Sequence, residues 1–211
     1  MGGTVTSAGP TQGQLDAIER IAAALEPGTY LVGGVAVGLK LRHRTSLDVD
    51  LFVPQDFDPG ALFERIRELA PDVTLTGEAR GTLHLELHGL PVSILAYRYR
   101  LLREPTPLEG ISVAVASAED LLCMKLAAIG GRGAAKDFWD LQALLESGTA
   151  HGDLREALEL FREKYPANDV GHVVKALAYF GDADAAPLPA GLTAEAWAAV
   201  KRATAARLRA L

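Results

Sequence analysis

Two aspartates separated by one residue, Asp48 and Asp50 in the stretch RTSLDVDLFVP, are spaced for metal chemistry. Side chains alternate between the faces of a strand, so both carboxylates share one face, about 7 Å apart. Like charges this close are costly unless a cation lies between them. Because Mg²⁺ binds one or two carboxylates together with phosphates and water, the pair predicts a Mg²⁺ or Mn²⁺ site. The alternative is an exposed strand face paired with Arg44.

A glycine pair, Gly33-Gly34, ends the apolar run TYLV and precedes a helical pattern. Glycines at the start of a helix leave backbone N–H groups open to a phosphate. A tight turn before a helix needs glycine as well, so the pair alone decides nothing. Beside the two aspartates, however, it indicates metal-assisted transfer of a nucleotide from an NTP.

The elements that would position these residues alternate between helix and strand and then become entirely helical. This order predicts an α/β fold, with a mixed sheet of about five strands flanked by helices and a helical C-terminal segment. The domains expected are a flexible N-terminus at 1–10, an α/β core at 11–116 and a helical part packing on it at 117–211. The predicted strands are TYLVGG, LDVDLFVP, TLHLELH, PVSILAY and ISVAVA.

The composition is that of an ordinary globular protein, with 49% apolar and 23% charged residues among 211 and a net charge of −6. No apolar run approaches the ~20 residues of a membrane span, and no signal-peptide pattern opens the chain. Cys123 is the single cysteine, which excludes an internal disulfide. We therefore expect a cytoplasmic protein without a membrane partner.

Two stretches, GGVAVGLKLRHRTSLDVDLFV and AEDLLCMKLAAIGGRGAAKDFWDLQALL, resemble the signature motifs of the AbiEii-type nucleotidyltransferases. These are toxins of abortive-infection and toxin–antitoxin systems. The first motif is filled by Gly33, Gly34, Ala36, Arg44, Ser46, Asp48, Asp50 and Leu51. The second motif is filled by Lys125, Arg132, Lys136, Asp137, Phe138, Asp140 and Leu141.

The resemblance implies a polymerase β-like fold in which Asp48 and Asp50 hold the metal ion. It also implies that Lys125 and Asp137 act at the nucleotide. The remaining nucleotide-binding positions that it implies are Gly33, Gly34, Arg44, Ser46, Arg132 and Lys136. Part of the KDFWDL cluster has a structural alternative, in which its charges anchor the helix that carries them.

A third carboxylate, which nucleotidyltransferases often carry on a neighbouring strand, is absent from PVSILAY, where Ser93 has the expected place. If Gly89-Leu90 forms a two-residue turn, Glu86 lies directly across from Ser93 on the same face. His84 and His88 share that face. Our hypothesis is that Glu86 supplies the missing carboxylate or base; the alternative is an ordinary amphipathic strand.

The function expected is transfer of NMP from an NTP to a hydroxyl of tRNA or protein, by a toxin with a cognate antitoxin. One alternative is a catalytically degenerate module of the same fold that binds or regulates. Another is a nucleotidyltransferase that modifies a small molecule such as an antibiotic.

Overall fold

The computed structural model describes residues 9–211, and the predicted flexible N-terminus lies outside the described residues except for its last two. The chain forms two compact units. Of the described residues, the first unit holds 9–99 and 105–116, and the second holds 100–104 and 117–211. Each unit is built around its own set of secondary-structure elements.

The first unit contains a seven-stranded mixed sheet with the strand order β3-β4-β5-β2-β1-β7-β6. Strand β1 is antiparallel to β2 and parallel to β7, while β2 is parallel to β5. Its strands are β1 (Tyr30–Val32), β2 (Val49–Val53), β3 (Thr74–Ala79), β4 (Thr82–Leu87), β5 (Leu90–Ala96), β6 (Thr106–Leu108) and β7 (Ile111–Val115). Its helices are α1 (Gln12–Ala22), α2 (Gly33–Leu41) and α3 (Pro59–Leu69).

The five predicted strands are confirmed as β1, β2, β4, β5 and β7, and two further strands complete the sheet. The additional strands, β3 and β6, are the two edges. Most of their side chains are exposed, so neither has the buried alternating face from which a strand is predicted. Pro107 lies in β6, which is compatible with an edge because proline cannot donate a ladder hydrogen bond.

Strand β2 alternates between a buried and a half-buried face, which places its acidic residue on the more open side. Val49, Leu51 and Val53 have no exposed surface, whereas Asp50 and Phe52 are half-buried. Leu47 begins the predicted strand LDVDLFVP, but β2 begins only at Val49, and Leu47 is 74% exposed. Beside it, Gln14 donates from Nε2 to the carbonyl oxygen of the buried Ser46 (2.8 Å).

The second unit is helical, and α4 packs against α5, α6 and α7. Helix α4 is capped by Ser117, whose Oγ accepts from the Asp120 amide (2.9 Å). Within residues 9–211, no helix has both the length and the apolar character needed to cross a membrane. The helices are α4 (Ala118–Gly131), α5 (Ala135–Glu146), α6 (Leu154–Lys164), α7 (Val170–Leu177), α8 (Gly181–Ala185) and α9 (Ala194–Arg209), with a 3₁₀ turn at Thr149–Gly152.

Candidate active site

The glycine pair at the start of α2 makes room for side chains of the aspartate motif. Gly33 has φ +69°, a conformation that favours glycine, and a Cβ placed on it would overlap Oδ2 of Asp50. A Cβ on Gly34 would overlap Ser46 Oγ and lie 2.6 Å from Arg44 Nη2. The structure therefore brings five of the predicted site residues together, and it gives the glycines a packing role whether or not a phosphate binds there.

We expect Gly34→Ala to destabilise the fold by about 1–3 kcal/mol, because the added methyl group overpacks against Ser46 and Arg44. Thermal unfolding measures the effect, at roughly 2–4 °C per kcal/mol for a chain of this size. Gly131→Ala is the matched control, since it too replaces a helix-terminal glycine but has no atom within 4 Å of the new Cβ. Equal melting temperatures for the two variants would contradict the prediction.

Asp48 lies just before β2, is half-buried, and lines an open cavity of about 760 Å³ within the first unit. The cavity is also lined by the loop Thr45–Leu47, the start of α1 near Gln14 and the hairpin turn His88-Gly89. This volume is within the range of small-molecule sites. The cavity therefore leaves space for a ligand beside one of the two predicted metal ligands.

The donor set fits a hard divalent cation that is also held by substrate. In the described part of the chain, no three His, Cys, Asp or Glu side chains cluster as a complete metal site. Asp48 and Asp50 are both partly accessible and supply two carboxylates. Mg²⁺ characteristically takes few protein ligands and completes its shell with phosphate oxygens and water, so two carboxylates are sufficient.

The predicted register between Glu86 and Ser93 is wrong. Strand β4 ends at Leu87 and β5 begins at Leu90, so the two-residue turn is His88-Gly89, not Gly89-Leu90. Both turn residues have positive φ, at 53° and 76°, as a type I′ turn requires. Glu86 consequently pairs with Pro91.

His84, not Glu86, lies directly across from Ser93, and its Nδ1 is 3.1 Å from Ser93 Oγ. Glu86 remains exposed on the same face of β4, two residues nearer the turn. From the sequence, His84 was expected only to share the face of β4 with Glu86. A type I′ turn requires positive φ at both central residues, which Leu90 adopts less readily than His88. This requirement favours the turn His88-Gly89, and with it the correct register.

The second motif forms a buried ionic cluster at the α4–α5 junction of the second unit. Lys125 Nζ lies 2.6 Å from Asp140 Oδ2 and 3.4 Å from Asp137 Oδ1, and these carboxylates have no exposed surface. Arg132 donates to both oxygens of Asp137, from Nε (2.8 Å) and Nη2 (2.9 Å). Lys136 is half-buried on α5.

The charge of Asp137 is stabilised within this cluster. Burial alone raises a carboxyl pKa, but the Arg132 hydrogen bonds and the Lys125 charge outweigh it and hold the pKa of Asp137 below its ordinary value. The cluster thus has a structural role in joining α4 to α5. Arg132, whose side chain is 59% exposed, is its most accessible cation.

The sequence profile of the family described as "Nucleotidyl transferase AbiEii toxin, Type IV TA system" matches residues 71–210, about two thirds of the chain. The chain belongs to the AbiEii family. It is therefore a nucleotidyltransferase, as the resemblance implied. The AbiEii match covers the buried ionic cluster but begins after Asp48 and Asp50. The assignment of these two aspartates as metal ligands therefore depends on the first motif and on the geometry around Gly33.

The chain is also similar in sequence to one curated protein and in fold to solved structures. The chain is 35% identical over 174 residues to an uncharacterized protein of Aquifex aeolicus (strain VF5), covering 81% of this chain and 82% of that protein. Its fold is similar to JHP933 from Helicobacter pylori, with a TM-score of 0.57, 18% identity and coverage of 94% and 91%. It is also similar to MenT4, a nucleotidyltransferase toxin from Mycobacterium tuberculosis H37Rv, with a TM-score of 0.55, 18% identity and coverage of 94% and 82%.

Proposed function

We propose that this AbiEii-family protein transfers NMP from an NTP to a hydroxyl group of tRNA or protein, with Mg²⁺ or Mn²⁺ bound by Asp48 and Asp50. The observation that carries the proposal is the packing of Asp50 against Gly33 beside the half-buried Asp48. That packing fixes the direction of one carboxylate before any ligand binds, and pre-organised charge is the main source of catalysis in phosphoryl transfer.

Each remaining site residue has a role in this proposal. A divalent ion at the two aspartates would neutralise charge on the triphosphate and polarise the α-phosphate. Ser46, Arg44 and the start of α2 are assigned to the triphosphate, because hydroxyl, guanidinium and backbone N–H groups all donate to phosphate oxygens.

In the second unit, Lys125 and Asp137 are assigned to the nucleotide on the strength of the AbiEii motif. The same motif assigns Arg132, whose side chain is more than half exposed, and the half-buried Lys136 to nucleotide binding.

The biological role follows from the family, whose description is a toxin of a type IV toxin–antitoxin system. We infer that this protein modifies a component of translation and that a cognate antitoxin counteracts it. Expression of the protein from an inducible promoter tests its toxicity, and growth arrest is the expected result. The Asp50→Asn protein is the control and should permit normal growth.

The reaction is tested by incubating the protein with each α-³²P-labelled NTP, Mg²⁺ and one of three acceptors: total tRNA, cell-extract protein or an aminoglycoside. We expect label on one acceptor with one or two of the four nucleotides. Chelation with EDTA should remove the activity, and added Mg²⁺ or Mn²⁺ should restore it. Metal-dependent NTP binding without transfer to any acceptor would instead indicate a degenerate binding module, and label on an aminoglycoside alone would indicate small-molecule modification.

A further inference from the structure

His84, Ser93 and Asp50 form one row across three adjacent strands of the sheet. His84 pairs with Ser93 between β4 and β5, and Ser93 pairs with Asp50 between β5 and β2. Adjacent strands are about 4.8 Å apart, so the Cα atoms of His84 and Asp50 are about 10 Å apart on the same face. The Nδ1 side of the imidazole faces Ser93, the residue that lies between His84 and the aspartate.

The edge of the sheet leaves space for the His84 ring. Strand β3 has a register irregularity between Leu75 and Gly77, and Gly77 is the residue paired with His84. A Cβ on Gly77 would already be in van der Waals contact with His84 Cδ2, at 3.6 Å, so a larger side chain would displace the ring. Glycines within strands and bulges near sheet edges commonly mark such close approaches.

The contact with Ser93 orients the ring. Nδ1 lies 3.1 Å from Ser93 Oγ, so Nδ1–H can donate to that hydroxyl oxygen. Neutral imidazole has one donor and one acceptor nitrogen, so Nε2 is then the acceptor. His84 is exposed, and this acceptor is open to an incoming hydroxyl group.

We propose that His84, positioned by Ser93, is the base that accepts the proton of the acceptor hydroxyl; this rests on the nucleotidyl transfer proposed above. The O–H bond of the acceptor breaks, its proton goes to Nε2, and its oxygen bonds to the α-phosphorus. The bond from the α-phosphorus to the bridging oxygen breaks, and pyrophosphate leaves with that electron pair. The His84–Ser93 pair thus performs the task usually given to a third carboxylate.

The kinetic test compares His84→Asn with wild-type protein, using α-³²P-labelled NTP and whichever acceptor, total tRNA or extract protein, becomes labelled. Loss of a general base costs about 10²–10⁴-fold. We expect kcat to fall by about 100-fold while KM for the NTP stays unchanged. In His84→Ala, added imidazole should restore part of the rate, because the space beside Gly77 admits a small ring.

His151→Asn is the matched control, because His151 is an exposed histidine of the second unit that contacts Glu156, and asparagine tolerates its positive φ. It should retain the wild-type rate. If His84→Asn also retains it while Asp50→Asn is inactive, the inference fails and the proposed function stands. If wild-type protein labels no acceptor, both fail.

A spectroscopic readout is independent of turnover. Long-range ¹H–¹⁵N correlation spectra, with His84 assigned by its loss in His84→Asn, report which ring nitrogen carries the proton. We expect the Nδ1–H tautomer in wild-type protein and a shift towards Nε2–H in Ser93→Ala. An Nε2–H tautomer in the wild type would overturn the assigned role of Ser93 and leave His84 without a free acceptor nitrogen.

Discussion

Asp50→Asn is expected to abolish nucleotidyl transfer while the protein remains folded. Asparagine has nearly the same shape as aspartate, so it fits the space against Gly33, but it lacks the charge that a divalent cation requires. A metal ion supplies several kcal/mol of transition-state stabilisation, and a loss of ~4 kcal/mol corresponds to a roughly 1000-fold lower rate. Initial rates of label transfer from α-³²P-labelled NTP measure the effect.

Asp16→Asn is the control for Asp50→Asn. Asp16 is exposed on α1 and accepts a hydrogen bond only from Gln12 among the bonds described, so its replacement should not alter the rate. Melting temperatures of both variants separate lost chemistry from lost folding. A folded Asp50→Asn protein with a wild-type rate would show that the aspartate pair is the exposed strand face considered as the alternative.

The sheet was predictable wherever one face of a strand is buried. In β2 and β4 the alternation of buried Leu and Val with polar residues is visible in the sequence, and both strands form as expected. Strands β3 and β6 were not predicted because they are edge strands whose side chains are mostly exposed. They form by pairing with a neighbouring strand, which leaves no alternating apolar pattern in the sequence. The motif around Asp48 was predictable for a different reason. Its glycines, Gly33 and Gly34, lie so close to Asp50 and Ser46 that a Cβ atom would overlap those side chains, so other residues are disfavoured there.

The hairpin shows where prediction failed and what the failure changed. Moving the two-residue turn by one position, from Gly89-Leu90 to His88-Gly89, shifts the pairing of β4 with β5 by two residues. The pairing determines which residue lies across from Ser93. Turn chemistry, with positive φ at His88 and Gly89, decided it. The residue opposite Ser93 is therefore His84 and not Glu86. The candidate for the third catalytic group is consequently an imidazole and not a carboxylate.

Ion pairs between residues far apart in the chain could not be predicted from the sequence. Asp120 and Lys164 are 44 positions apart, and nothing in their local patterns links them. Both side chains have no exposed surface, and Lys164 Nζ lies 2.6 Å from Asp120 Oδ1. Asp120 also accepts from the amides of Leu102 (3.0 Å) and Arg103 (3.1 Å), so the pair fastens segment 100–104 within the second unit.

Lys164→Met is expected to lower the free energy of unfolding by about 3–5 kcal/mol, because it leaves the carboxylate of Asp120 buried without its partner. Urea unfolding followed by circular dichroism measures the loss. Arg67→Met is the control: its ion pair with Glu64 is about half exposed on both sides, and such pairs contribute ~0–1 kcal/mol. A similar small effect for both variants would contradict the prediction.

Acid should weaken the same pair. Burial alone would raise the pKa of Asp120, but hydrogen bonds from Lys164, the Leu102 amide and Ser117 outweigh it and hold the pKa below the ordinary value of 3.8. A depressed native pKa gives stability that is complete above the unfolded-state pKa and is lost as the pH falls towards the native one. Between pH 7 and pH 3 the unfolding free energy of wild-type protein should therefore fall more than that of Asp120→Asn, which has no carboxylate there to protonate. Parallel pH profiles for the two proteins would show that Asp120 does not contribute in this way.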